Sequence, residues 1–270
     1  MSLSSQDIER LGALLKRESG LSLSADQGYL VQSRLAPLAV KHAGGDLVAL
    51  LNQLKEDRSP RLLQEALEAM MTPETSFFRD AAPFAALREK IIPALVKQRE
   101  GRVLRFWSAA CASGQEAYSL AMLLQDHPML QGWRCEILAT DVSHSILEKA
   151  RAGVYSQFEV QRGLPIHLLV KHFTKLGDLW QLKPDIRNAV RFAPANLLAG
   201  SGQHGVFDVI FCRNVLIYFD AATKARVLQS LKPCLRQDGV LFLGGAETVI
   251  GLTDAFQPLP DISGGFRPAP

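Results

Sequence analysis

This chain has no large surplus of charge of either sign. Thirty basic residues face 27 acidic ones, a formal net charge of +3 over 270 residues, too mild for a general nucleic-acid binder. Cysteine is scarce. Cys111, Cys135, Cys212 and Cys234 are widely spaced, with no CxxC pair and no neighbouring histidine cluster, which argues against a structural zinc site or a disulfide framework and fits reduced thiols in a cytoplasmic protein. The six histidines are scattered, only His167 and His172 being at all close; for both an exposed or satisfied core role is expected, and no metal is implied. No apolar run approaches the roughly 20 residues of a membrane-spanning helix. The opening MSLSSQDIERLG lacks the basic and apolar regions of a signal peptide, so a cytoplasmic location without direct membrane insertion is expected. What is present is apolar material: 47% hydrophobic against 21% charged residues, enough for a sizeable core and incompatible with a disordered or fibrous chain. At about 150 residues per domain, the length fits one large domain and a small companion.

The first 70 residues carry only helical periodicity. Ile8, Leu11, Leu14 and Leu15 recur at helical spacing, with Ser4 or Ser5 as N-cap and Gly20 as stop. A second helix is expected over 25–41, shortened or kinked at Pro37. Leu47, Leu50, Leu51 and Leu54 mark a third, and Leu62, Leu63, Leu67, Met70 and Met71 a fourth. From Arg102 onward, short apolar runs at 103–107, 135–140, 207–212 and 239–243 alternate with helical stretches at 116–125, 143–152 and 221–236. Such an alternation predicts a parallel sheet covered on both faces. Between them, runs at 173–174, 179–182 and 190–192 around a turn at Gly177-Asp178 predict a small antiparallel insert.

Four stretches are candidates for chemistry. SAACASGQE at 108–116 follows a strand and opens a helix; its small residues fit either an ordinary tight turn or a ligand approaching the backbone. It is no GxGxxG fingerprint, and Glu116 would repel a pyrophosphate while attracting a cationic ligand. Asp141, at the carboxyl end of a strand, is placed to accept ribose hydroxyls or to cap the following helix. CRNVLIYF at 212–219 places Arg213, Asn214 and Tyr218 at the carboxyl end of a buried strand, as ligand contacts or as local caps and core. TPETSFFRD at 72–80 pairs two aromatics with polar residues, a hydrophobic anchor or a contribution to a site.

In order and spacing these stretches, with QRGLP at 161–165, ANLLA at 195–199 and GVLFLGGAET at 239–248, resemble the chemoreceptor glutamate methyltransferases, the CheR family. The resemblance spans nearly the whole chain. It implies a Rossmann-like class I S-adenosylmethionine-dependent methyltransferase domain over 101–270 with a β insert around 153–193. It further implies a helical N-terminal domain over 1–71 and a joining segment, 72–100, that helps bind the cofactor. S-adenosylmethionine would be the cofactor and S-adenosylhomocysteine the product. The methyl would go to γ-carboxylates of glutamates in the cytoplasmic domains of methyl-accepting chemotaxis receptors, the enzyme acting as a monomer. Position by position, Thr75 and Arg79 match family residues that reach the cofactor, and Arg79 is also carried as catalytic. Glu116 matches the acid of the loop, and Asp141 the ribose-binding acid. Asn196 and Leu197 match a pair near the adenine, and Arg213 and Asn214 the pair after the strand at 207–212. Tyr218 matches the tyrosine near the transferring methyl.

Three features depart from the family pattern. Pro73 stands where members often carry Asn. The second helix, strongly basic in some members, keeps only Arg34 and Lys41 over 34–41, weakening electrostatic steering of a receptor through it. The turn at 174–179 is short beside that of members that hold a receptor's C-terminal pentapeptide by β-augmentation, so no such binding is expected. Two other classes stay in view: a nucleotide-dependent oxidoreductase, disfavoured by the carboxylate and few glycines of the 108–116 loop, and a non-catalytic S-adenosylmethionine-binding module, disfavoured by the joint presence of Arg79, Glu116, Asp141, Asn214 and Tyr218.

Overall fold

The computed structural model describes residues 3–56, 59–200 and 202–270. They form two compact units. The first is Met1–Thr72 with Tyr218–Asp220, the second Pro73–Ile217 with Ala221–Pro270.

The first unit is built on helices α1 (Ser5–Ser19), α2 (Gly28–Ala43), α3 (Leu47–Glu56) and α4 (Pro60–Met70). Ser4 and Asp7 form a reciprocal capping box at the start of α1, and Gly20, at φ 81°, ends it in the left-handed conformation. A single 3-10 turn, Ala25–Gln27, precedes α2. Of the two effects expected of Pro37, shortening does not occur: α2 runs through it and stops only at Gly44. Leu15, Val31, Leu35, Leu50 and Leu67 form the core. The two charges expected on the second helix are used internally. Arg34 Nη1 donates to the carbonyls of Met70 (2.6 Å) and Met71 (2.8 Å) at the end of α4, where orphan carbonyls need donors. Lys41 pairs with Glu65 at 2.7 Å. Ser22 N donates to the Tyr218 carbonyl at 2.9 Å, and Lys16 pairs with Asp220 at 2.5 Å.

The second unit opens with α5 (Ala81–Ala86) and α6 (Ile92–Gln98), continuous through a π turn at Leu87–Ile91. Its sheet contains β1 (Val103–Ala109), β2 (Arg134–Asp141), β6 (Val190–Pro194), β7 (Phe207–Phe211), β8 (Leu235–Phe242), β9 (Phe256–Pro258) and β10 (Gly265–Pro268), in the order β6-β2-β1-β7-β8-β10-β9. The first five are parallel, and β10 is antiparallel to both neighbours. The crossovers α7 (Gln115–Gln125), α8 (His144–Ala152) and α12 (Ala221–Leu231) connect parallel strands, as the apolar strand runs require. A smaller antiparallel sheet, β3-β5-β4, comprises β3 (Val154–Ser156), β4 (Phe173–Leu176) and β5 (Leu179–Leu182), with α9 (Gln157–Gln161), α10 (Ile166–His172) and α11 (Pro184–Arg187) around it.

Three sequence expectations are corrected. The run at 190–192 is not in the insert; it is β6, in parallel register with β2 (Ile137 opposite Val190), because α11 turns the chain back to the main sheet and buries Val190 there. The insert's third strand is instead β3, opposite β5. The helix expected to reach Arg236 stops at Leu231, since Pro233 in the following turn cannot continue it, and β8 begins at Leu235. β9 and β10 leave no strand pattern in the sequence, because they are short and contain Pro258, Pro268 and Gly265. Cys111, Cys212 and Cys234 are buried free thiols, and Cys135 is a half-buried one. No helix among the described residues is long and apolar enough to cross a membrane.

Candidate functional site

The carboxyl ends of β1, β2 and β7 bring the loop 110–114, Asp141 and the stretch from Arg213 to one end of the sheet. This is where ligands of open α/β sheets bind. The loop is tightly wound: Ala110, Ala112 and Gly114 have φ of 60°, 48° and 91°, values an alanine adopts only at a cost. Asp141 supports that shape. Its Oδ2 accepts from Ala112 N at 2.9 Å and its Oδ1 from Ser143 N at 3.0 Å, while Ser143 rather than Asp141 caps α8. Gly114 leaves little room for a side chain, because a Cβ there would lie 3.1–3.3 Å from Ala150, Tyr118 and Phe192, and at φ 91° it would also be strained. As the N-cap of α7 it supplies no side-chain acceptor, so the leading amides of that helix present positive potential toward the loop.

Glu116 is not the open carboxylate that the sequence reading expected. It is buried, accepts from Ser108 Oγ at 2.7 Å and pairs with Arg213 Nη1 at 3.1 Å. Burial pushes its pKa up, and the Arg213 guanidinium opposes that rise. Its charge is therefore matched within the protein. Arg213 also reaches Asp80 with Nη2 (2.7 Å), and its Nε is buried without a partner among the described residues. The network joins the start of α7, the end of β7 and the segment before α5.

That segment belongs to the second unit. Phe77 is fully buried, edge-on to Tyr155 and Phe173 with centroids 5.1 and 5.7 Å away, and Phe78 N donates to Ser119 Oγ at 2.9 Å. Thr75 is half-buried beside this anchor. Arg79 turns back onto its own segment, donating to the Glu74 carbonyl at 2.9 Å, and Glu74 pairs with Arg162 at 2.5 Å. Asn196 accepts from Leu198 N through Oδ1 and caps the 3-10 turn Leu197–Ala199. The preceding Ala195 N donates to the Asp141 carbonyl at 3.0 Å, so Asn196 and Leu197, which follow β6, lie beside the carboxyl end of β2. Tyr218 falls with the first unit. His167 is exposed, and His172 is buried with Nε2 3.3 Å from Asp126 Oδ2.

Sequence reasoning missed Glu247. Its Oε2 accepts from Asn214 N (2.8 Å) and Gly244 N (2.7 Å), and its Oε1 from Val215 N (2.9 Å) and Ile217 N (3.3 Å). One carboxylate thus holds the backbone of 214–217, where Asn214 has φ 58°. The signal was an acid amid small residues in GGAET after a buried strand.

A sheet carrying a small-residue loop, an acid at the next strand's end and a buried acid at the start of the crossover helix defines a class I methyltransferase domain that binds S-adenosylmethionine. The residues present fit that group: the loop at 110–114 carries only the small side chains of Ala110, Cys111, Ala112 and Ser113 before Gly114, and the amides at the start of α7 suit its carboxylate. The family model described as the CheR methyltransferase SAM binding domain matches residues 73–263, and the one described as the CheR methyltransferase all-alpha domain matches 6–71. The chain is 38% identical over 262 residues to Chemotaxis protein methyltransferase 1 of Pseudomonas aeruginosa, covering 95% of each chain. It is 37% identical over 262 residues to Chemotaxis protein methyltransferase Cher2 of Pseudomonas putida, again covering 95% of each. It is 38% identical to Chemotaxis protein methyltransferase 1 of Vibrio cholerae, with 95% of this chain and 94% of that one covered. The chain belongs to the CheR family of chemotaxis protein methyltransferases.

Proposed function

We propose that this chain methylates γ-carboxylates of glutamates in the cytoplasmic domains of methyl-accepting chemoreceptors, giving glutamate methyl esters without needing a receptor pentapeptide tether. The observation that carries this reading is similarity along 95% of the chain to chemotaxis methyltransferases. S-adenosylmethionine supplies a methyl already activated on a sulfonium. A glutamate with an ordinary pKa of about 4.3 is ionised at neutral pH and needs no general base, so the protein's task is to align the reacting groups and exclude water. Thr75, Arg79, Glu116, Asp141, Asn196, Leu197, Arg213 and Asn214 are the residues assigned to the cofactor. Both terminal nitrogens of Arg213 are committed to Glu116 and Asp80. This favours Tyr218 over Arg213 for orienting the substrate carboxylate.

Incubation with methyl-labelled S-adenosylmethionine and receptor cytoplasmic fragments lacking any C-terminal tail should yield base-labile methyl on the fragments. No such methyl on any receptor would overturn the reading. Tyr218→Phe should lower kcat about tenfold, the worth of one hydrogen bond in the transition state, with S-adenosylhomocysteine affinity retained. Unchanged turnover would remove Tyr218 from the site. Pentapeptide independence is supported by the hairpin turn: Leu176 pairs directly with Leu179 across a two-residue turn, with Gly177 at φ 59°. Micromolar calorimetric binding of a receptor C-terminal pentapeptide would contradict that part alone.

A further inference from the structure

The second unit carries another cleft, of about 870 Å³, along the amino-terminal halves of β1, β2 and β6 and the first residue of β7. The cofactor loop, Asp141 and Arg213 lie at the opposite, carboxyl ends of these strands, and none of them lines the cleft. The connection from β6 to β7 contributes only two 3-10 turns among the described residues, Leu197–Ala199 and Gly202–His204.

The lining is unusual in its charge. Arg105, Arg134, Arg151, Arg187 and Arg191 face a single carboxylate, Glu136, and no lysine takes part. Glu136 is shared between Arg105 (3.1 Å) and Arg134 (2.6 Å), and Arg151 pairs with Glu148 at 2.5 Å. The guanidiniums of Arg187 and Arg191 make no hydrogen bond or ion pair among the described residues. Arg105 is held in place by the Val206 carbonyl (2.7 Å) and stacks 4.8 Å over the Phe207 ring. Val190 and Phe192 add apolar wall.

Concentrated guanidiniums in a concave site raise the local anion concentration and present the planar fork that matches phosphate oxygens. The volume falls in the roughly 300–1,000 Å³ range of small-molecule sites. With the whole chain at only +3, the basic character is local to this cleft, which suits a compact polyanion better than a polymer. We propose that the cleft is a second binding site, separate from the cofactor site, for a phosphate-bearing anion of nucleotide size. Its phosphates would engage Arg187 and Arg191 and its ring the apolar wall.

Calorimetry of the full chain with ATP, GTP and inorganic pyrophosphate tests this. At least one nucleotide should bind with a submillimolar Kd, weaken as NaCl is raised, and keep its Kd within twofold when S-adenosylhomocysteine is saturating. The Arg187→Ala/Arg191→Ala variant should bind it at least tenfold more weakly while keeping its S-adenosylhomocysteine affinity. Should that variant fail to fold, Arg191→Glu alone, at an exposed position, should weaken binding at least fivefold. Absence of binding at millimolar nucleotide, equal binding by the folded variant, competition by S-adenosylhomocysteine, or binding of polyglutamate but not of nucleotides would each overturn the proposal.

Discussion

Replacing Gly163 by alanine is expected to lower the melting temperature by on the order of 10 °C and to weaken S-adenosylhomocysteine binding at least tenfold. Gly163 has φ 88°, and a Cβ there would stand 2.1 Å from the Phe77 carbonyl oxygen. Two costs combine: a left-handed alanine, at about 1–2 kcal/mol, and an overlap that must displace backbone, at about 1–3 kcal/mol. For a domain of this size each kcal/mol is worth about 2–4 °C. Phe77 cannot retreat, because its ring is enclosed by Tyr155 and Phe173. The strain therefore passes to Thr75 and Arg79, which we assign to the cofactor. Gly177→Ala is the control, with φ 59° but nothing within 4 Å of the added carbon; it should cost about 1 kcal/mol and leave cofactor affinity unchanged. Equal melting-temperature losses in the two variants, by calorimetry or circular dichroism, would refute the packing argument.

Glu247→Gln should cut methyl transfer at least tenfold and weaken S-adenosylhomocysteine binding by a similar factor, although the side chain keeps its shape. Both carboxylate oxygens accept two backbone N–H groups each, from residues 214–217 and Gly244. An amide has one oxygen and one NH₂, so two of the four N–H groups would meet a donor. Hydrogen bonds to a charged acceptor are worth about 1.5–3 kcal/mol each, and orphaned donors add a desolvation cost. The stretch of 214–217 would then leave its conformation, in which Asn214 is already left-handed at φ 58°, and Arg213 beside it would lose its hold on Glu116. Parent-like affinity and turnover for Glu247→Gln would show that the loop is held by other means.

Much of this molecule is legible in its residues because local chemistry and global fold agree there. Ser4, Asp7 and Gly20 bound α1 by capping rules that act within four residues. VIFC at 209–212 reads as a buried strand since nothing polar interrupts its apolar run between Asp208 and Arg213. The loop 108–116 reads as a tight strand-to-helix turn that a ligand could approach, because its run of small residues can wind closely between strand and helix. The insert's pairing and the last two strands were not legible in the same way. Val190 is apolar in either sheet, and only the turn of α11 decides which one takes it; β9 and β10 have three or four residues each and break strand propensity with proline and glycine.

The same division runs through the site. Residue type and order alone pointed to the two-part organisation and to Asp141, Asn214 and Tyr218 as candidates, and the cofactor followed from the resemblance that their order carries, because those signals are short-range or ordered along the chain. Only the tertiary structure decided how the charges are used. Glu116 faces Arg213 across 97 residues, Arg34 closes the end of α4, Glu247 gathers four amides and five arginines converge on one cleft. Ion pairs and hydrogen bonds act over about 3 Å, so which partners meet depends on how distant strands and helices are brought together. No pattern along the chain encodes that distance.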